Sequence, residues 1–139
     1  MKTYEYDEIP VGHEETLKMR LNLDTEDDFV GLSRDFTPLH YDVDYAATTK
    51  FKKPIAHGMI LGCMLSTFVG TQLPGKYCLL ISQTIDFVKP VYPSDRTFVK
   101  LTGKVVSKQD AAKVLVVQLI FKVGDVTVAR GKALVGVLK

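Results

Sequence analysis

The 139-residue chain has only two cysteines. Cys63 and Cys78 stand in apolar surroundings, and their spacing fits neither a redox motif nor a pair of zinc ligands. A disulfide scaffold is therefore excluded, and both are read as small core residues in a reducing compartment. Long hydrophobic runs are missing too. The longest uncharged apolar stretch is the thirteen residues from Gly58 to Gly70, and a bilayer-spanning helix takes about 20. The first ten residues carry Glu5, Asp7 and Glu8 without an apolar segment, unlike a secretory leader. The expectation is a cytoplasmic protein without a membrane anchor. Charge of one sign is scarce as well. The net charge is +2, and no Lys/Arg cluster with interleaved aromatics marks a nucleic-acid surface. The slight positive balance does suit an anionic ligand, such as a phosphate-bearing one. Repeats, low-complexity tracts and linkers are absent.

What is there reads as one ordinary globular domain over residues 1–139. Hydrophobic residues make up 46% and charged residues 24%, a composition that can bury a core without metal or disulfide support. The first forty-odd residues are polar, the middle is apolar, and the last sixty alternate like strands. Leu17, Met19, Leu21 and Leu23 give Val11–Leu23 the pattern of a half-exposed strand. Asp24 or Thr25 is expected to cap a short helix with Glu26, Asp27 and Asp28 in its first turn, where the helix dipole favours acids. Asp35–His40 is a proline-containing loop, Asp42–Lys50 a second short helix, and Phe51–His57 a turn region. Gly58–Gly70 reads as a helix that is apolar all round and so belongs inside the domain. Four strand-like runs follow, at Leu79–Pro90, Thr97–Ser107, Lys113–Val123 and Asp125–Leu138. Pro90 and Pro93 keep the loop after the first run out of a sheet, and Gly124-Asp125 marks a tight hairpin. The architecture is α+β: a curved antiparallel sheet wrapped around one buried helix.

There are three histidines. His13, beside Glu14 and Glu15, reads as solvated surface. His57, at the start of the apolar helix, reads as a side chain that bonds its own loop and fixes the beginning of the helix. His40 stands out because Asp35 lies five positions before it, on a loop bent by Pro38. A carboxylate and an imidazole that converge in this way can hold a water molecule between them and move its protons. The bland alternative is that Asp35 caps a turn and His40 merely packs. A metal site built from Asp35, His40 and His57 is a further alternative, since these ligand types suit zinc or iron. No two of the three share helical spacing, however, and a fourth ligand is not evident.

A second feature bears on the same region. Gly58, Gly62, Ser66 and Gly70 fall at four-residue steps along one face of the apolar helix. Its three glycines cost about 1 kcal/mol each relative to alanine. Close packing against the sheet would explain them, and so would a thin, long ligand lying along that face. Gly58 also begins the helix, where free N–H groups favour a developing negative charge, as in an oxyanion hole. Ser66 is the only side-chain hydroxyl on the stripe and has no base partner in sequence, which argues against a nucleophile.

Taken together, Asp35-Phe36-Thr37-Pro38-Leu39-His40-Tyr41-Asp42, Tyr45-Ala46, Phe51 and Pro54-Ile55-Ala56-His57-Gly58-Met59 resemble the signature of the MaoC-like hydratases. Within that group the chain looks most like the (R)-specific enoyl-CoA hydratases. Gln72-Leu73-Pro74-Gly75, Phe87-Val88-Lys89-Pro90-Val91 and Asp95 continue the pattern. The resemblance runs from about Asp24 to the C-terminus. Thr37 stands where an asparagine is common.

The resemblance implies a hot-dog fold and a homodimer, with a thioester tunnel near the subunit interface. It implies reversible hydration of a trans-2-enoyl-CoA to an (R)-3-hydroxyacyl-CoA, with an acyl-CoA thioester as the partner molecule and no metal or redox cofactor. By position, Asp35 and His40 match the catalytic dyad, the Gly58 N–H the donor to the thioester carbonyl, and Ser66 a polar helper. Val69, with Phe68 and Phe87, is the candidate stop of the acyl pocket, which would favour short chains. The chemistry of the residues agrees: water adds to the β-carbon, charge builds on the thioester oxygen, and a base, a proton source and an oxyanion donor are all required. Two competing readings are a hot-dog acyl-CoA thioesterase, which needs no paired histidine, and a non-catalytic acyl-thioester binding protein.

Overall fold

The computed structural model describes residues 1–139. Its centre is a five-stranded antiparallel sheet of order β1-β3-β4-β5-β2. The strands are β1 (Glu14–Arg20), β2 (Cys78–Phe87), β3 (Phe98–Gln109), β4 (Val114–Val123) and β5 (Val126–Val137). Their period-2 patterning sets the register. Leu17 pairs with Leu101 and Leu101 with Phe121, and Phe121 pairs with Ala129, so apolar side chains form continuous rows on one face. Gly124, at φ +57, turns β4 into β5, as the hairpin signal predicted.

Three helices accompany the sheet: α1 (Leu23–Ser33), α2 (Val43–Thr48) and α3 (Ile60–Thr71). The sheet curls around α3, whose Ile60, Leu61, Met64, Leu65, Phe68 and Val69 are all buried. Gly103 makes this contact possible. A Cβ there would lie 2.5 Å from the Phe68 ring, so the bare backbone lets the aromatic side chain sit directly on β3. The wrap of sheet around helix is the hot-dog arrangement implied by the resemblance.

Four local expectations are corrected. The α1 cap is Asn22, not Asp24 or Thr25: its Oδ1 accepts from Thr25 N at 3.2 Å. The preceding Leu21 is fully buried and its N–H donates to Thr97 O, so chain pairing ends there and Asn22 is the first residue placed to cap. Helix α3 is not apolar all round, because Cys63, Ser66 and Thr67 are exposed along one stripe. Cys63 is therefore no core residue, and Cys78 is half-buried. His13 is not simply solvated. It packs edge-on against Tyr4, and its Nε2 lies 3.3 Å from Glu15 Oε1.

No helix is long and apolar enough to cross a membrane.

Candidate active site

The site forms where the loops after α1 and α2 meet the start of α3. Arg34 ends α1 in the left-handed conformation, which turns the chain sharply into Asp35. Pro38–His40 then makes one 3-10 turn, closed by Tyr41 N donating to Pro38 O at 3.3 Å, and Asp42 N donates to the same oxygen at 2.8 Å. Pro38 favours this turn because its φ is already fixed near the helical value. The turn is tied to the next segment by Ile55 N donating to Leu39 O, and that segment to the far loop by Ala56 N donating to Val91 O. Asp35 and His40 thus sit on a short, braced loop.

The loop brings Asp35, His40 and His57 together, with one ligand-type atom from each within 4.8 Å of the others. Asp35 uses its two carboxylate oxygens differently. Oδ1 accepts from the Thr37 hydroxyl at 2.6 Å and from the Thr37 N–H at 3.0 Å. Oδ2 stays open and lies 3.7 Å from His57 Nε2. The Thr37 hydroxyl, then its backbone N–H, and then the charges of His57 and His40 hold the Asp35 carboxyl below the usual aspartate range, against some opposing desolvation. An ionised carboxylate with one free oxygen results.

The tautomer of His40 follows from its neighbour. Nδ1 lies 2.7 Å from Ile55 O, and a carbonyl can only accept, so Nδ1 carries the hydrogen. Nε2 is then the free ring nitrogen. Asp35 Oδ2 and His40 Nε2 are thus the side-chain atoms at the two ends of the D-x4-H loop that no hydrogen bond within the chain occupies.

His57 is more than a loop brace. It is buried, and its Nδ1 lies 2.6 Å from Oε2 of Glu26, a carboxylate 31 residues earlier in the chain. Its Nε2 lies 3.2 Å from Asp35 O. One ring face stacks on His40 at 3.7 Å, and Phe29 packs against the ring at 4.9 Å. Glu26 escaped the sequence reading because Asp24, Glu26, Asp27 and Asp28 look like a solvated acidic first turn. The signal was its spacing. Glu26, Phe29 and Val30 share one helical stripe, and a carboxylate on the stripe that faces inward needs a partner.

The same bonds decide the metal alternative. Both ring nitrogens of His57 and Nδ1 of His40 have partners within the chain. Only Asp35 Oδ2 and His40 Nε2 remain as donors, whereas a zinc site takes about three protein ligands or more.

A cavity of about 430 Å³ opens beside this cluster, bordered by His40, His57, Gly58, Phe51, Phe87 and Val91 among others. Gly58 precedes α3, and no backbone carbonyl accepts from its N–H. A Cβ on Gly58 would come within 3.0 Å of the Phe87 ring, so glycine is what lets aromatic and backbone meet at this wall. Of the acyl-pocket candidates, Phe87 borders the cavity. Phe68 and Val69 do not: they are buried on the sheet side of α3. Ser66 lies on the exposed stripe of α3, outside the cavity wall. Lys50 and Lys89 add positive charge at the border.

Comparison with known proteins places this geometry. The family described as "MaoC like domain" matches residues 8–123. An (R)-specific enoyl-CoA hydratase of Aeromonas caviae is 34% identical over 127 residues, covering 91% of this chain and 94% of the relative. A 3-hydroxybutyryl-CoA dehydratase of Methylorubrum extorquens is 33% identical over 135 residues, covering 96% and 84%. Among solved structures, the (R)-hydratase from A. caviae involved in PHA biosynthesis superposes with a TM-score of 0.86 at 32% identity, over 93% of this chain and 97% of that one. An unliganded R-hydratase from Pseudomonas aeruginosa gives 0.87 at 29% identity, over 96% and 84%.

Proposed function

This chain belongs to the MaoC-like domain family, and from that premise we propose that it is an (R)-specific enoyl-CoA hydratase. It reversibly adds water to a trans-2-enoyl-CoA to give the (R)-3-hydroxyacyl-CoA. The observation that carries the reading is the clustering of an ionised Asp35, one oxygen free, with His40, whose Nε2 is free and whose side chain borders an apolar cavity beside the cluster.

The chemistry runs through three groups. The thioester carbonyl accepts from the Gly58 N–H, which draws charge from the double bond. Water held between Asp35 Oδ2 and His40 Nε2 attacks the β-carbon as Asp35 takes its proton. The electron pair of the double bond moves to the thioester oxygen as an enolate. The enolate then collapses to the carbonyl as the dyad delivers a proton to the α-carbon. Atoms and charge balance, and no redox partner enters. An oxyanion donor of this kind is worth about 2.7–4 kcal/mol of barrier. Because Asp35 and His40 come from one braced loop, they present water to a single face of the alkene. Ser66 is assigned a supporting polar role and no bond-making.

The substrate is an acyl-CoA of short chain. Phe87 crosses the cavity wall beside Gly58 and limits its depth, and Lys50 and Lys89 suit the phosphates of the carrier. The functional unit is a homodimer. Strand β2 is a sheet edge with Leu79 and Ile81 exposed, and an apolar edge of this kind favours pairing with a second copy.

Crotonyl-CoA tests the reading. Its conjugated absorbance is expected to fall on addition of the protein without release of free thiol, and an S-specific 3-hydroxyacyl-CoA dehydrogenase is expected not to reduce NAD with the product. Thiol release at the rate of absorbance loss would make the protein a thioesterase instead. Rapid NADH formation would reverse the handedness.

A further inference from the structure

Glu26 is a buried carboxylate that the hydration chemistry does not use. Three contacts from His57 converge on it: backbone N–H to Oε1 at 3.2 Å and to Oε2 at 3.4 Å, and Nδ1 to Oε2 at 2.6 Å. Both residues are nearly inaccessible, Glu26 at 6% and His57 at 3% exposure. Burying such a pair carries a heavy desolvation cost, and an apolar pair of the same volume is often at least as stable. Core stability therefore does not explain the choice. What His57 does with its other edge does. Its Nε2 lies on Asp35 O and faces Asp35 Oδ2, and its ring face carries the stacked ring of His40. Apart from Glu26 and Phe29, the hydrogen-bonding and ring-stacking partners of its side chain are Asp35 and His40, the proposed dyad.

We propose that Glu26 is a positioning residue for the reaction: it anchors His57 at two points, so that the ring stands upright between Phe29 and His40 with an Nε2–H held on Asp35. The titratable groups that face His57 are Glu26 from α1, Asp35 from the loop and His40 from the 3-10 turn. The carbonyl of Asp35 can only accept, so the Nε2 edge needs a hydrogen. A carboxylate bonded to both the backbone N–H and Nδ1 stops the ring from flipping that hydrogen away. Phe29, three residues after Glu26 on the same stripe, closes the other side. Loss of this anchor leaves the substrate pocket intact but lets Asp35 and His40 drift from the geometry that the bond-making step requires.

The test compares Glu26→Leu with Glu26→Gln. Glutamine can keep both anchor points and the Nε2 hydrogen, with its carbonyl accepting from the His57 backbone N–H and its amide donating to Nδ1, which then accepts where it donated to the Glu26 carboxylate. Leucine can keep none of it. Carboxylates that orient metal-bound histidines are worth about 10–100-fold, and a kcat loss in that range is expected for Glu26→Leu. KM for crotonyl-CoA should stay within about twofold of wild type, and Glu26→Gln should recover most of kcat. A folded Glu26→Leu with wild-type kcat overturns the proposal, as does a loss confined to KM. If Glu26→Leu does not fold, Glu26→Leu/His57→Phe removes the stranded imidazole as well and leaves only the residue 57 backbone N–H without its Glu26 partner, and the same criteria apply to it. The kinetic arm rests on the hydratase reading; 15N-histidine NMR does not. In the wild-type protein, His57 Nε2 should carry a hydrogen at neutral pH, and a bare Nε2 overturns the proposal whatever the substrate proves to be. Absence of hydration by wild type with a protonated His57 Nε2 would instead count against the hydratase reading alone.

Discussion

The rings of His40 and His57 stack with their centroids 3.7 Å apart and their planes 25° from parallel. One ring belongs to the loop before α2 and the other to the approach to α3, so the stack joins two segments that the sequence keeps 17 residues apart. It sets the height of His40 above the cavity floor, while the bond from Nδ1 to Ile55 O sets its rotation. With height and rotation both fixed, Nε2 has one direction in which to act.

The first prediction concerns Thr37. Its hydroxyl is the leading cause of the lowered Asp35 pKa. Thr37→Val removes that donor and leaves the backbone N–H. A carboxyl whose pKa is depressed keeps its proton off as pH falls through the ordinary range, so loss of the donor raises the pKa and brings protonation to higher pH. Titration of the Asp35 carboxyl by 13C NMR should show an upward shift in Thr37→Val relative to wild type. Coincident titrations would remove Thr37 from this role.

The second sets two glycines of the stripe against each other. At Gly58 an added Cβ meets the Phe87 ring at 3.0 Å, whereas at Gly62 it meets the Met59 methyl at 3.2 Å, the far end of a flexible side chain, and Gln83 Nε2 at an ordinary 3.8 Å. Gly58→Ala should therefore push the ring into the cavity and lower kcat/KM for crotonyl-CoA by about tenfold or more, a loss of about 1.4 kcal/mol in transition-state binding. Gly62→Ala should stay within about twofold. Equal effects in the two variants would show that the Phe87 contact does not govern the wall.

Chain length gives the third. Phe87 borders the cavity, and Val69 is buried in the core and does not. Phe87→Leu should raise kcat/KM for octenoyl-CoA relative to crotonyl-CoA, since each added methylene gains about 0.8 kcal/mol only where there is room for it. Val69→Ala should cost stability and leave that ratio unchanged. A ratio that responds to Val69 and not to Phe87 would return the pocket stop to α3.

These outcomes also mark what the sequence could and could not convey. Strands β2 to β5 were legible because period-2 alternation and the Gly124 turn are local signals, and their register follows from which face is apolar. The D-x4-H loop was legible because Asp35, Pro38 and His40 are neighbours in the chain. The exposed stripe of α3 was not, because Cys63, Ser66 and Thr67 are small enough to read as core. Phe68 was misplaced as a pocket wall because the space beneath it is made by Gly103, on a strand 35 residues later. Glu26 was hidden for the same reason. Its partner His57 lies across the fold, and an acid in the first turn of a helix has an ordinary explanation without one.

Asp35 and His40 are the groups proposed to move the water's protons, and Asp35→Asn and His40→Gln test that directly. Both side chains sit on a loop, with Asp35 exposed, so the variants should fold, as circular dichroism can verify. Loss of crotonyl-CoA absorbance is then followed for each beside wild type. Removal of a general acid or base costs about 10²–10⁴-fold, and each variant should lose at least two powers of ten in kcat. Either variant, folded and turning over at a rate near that of wild type, would contradict the assignment.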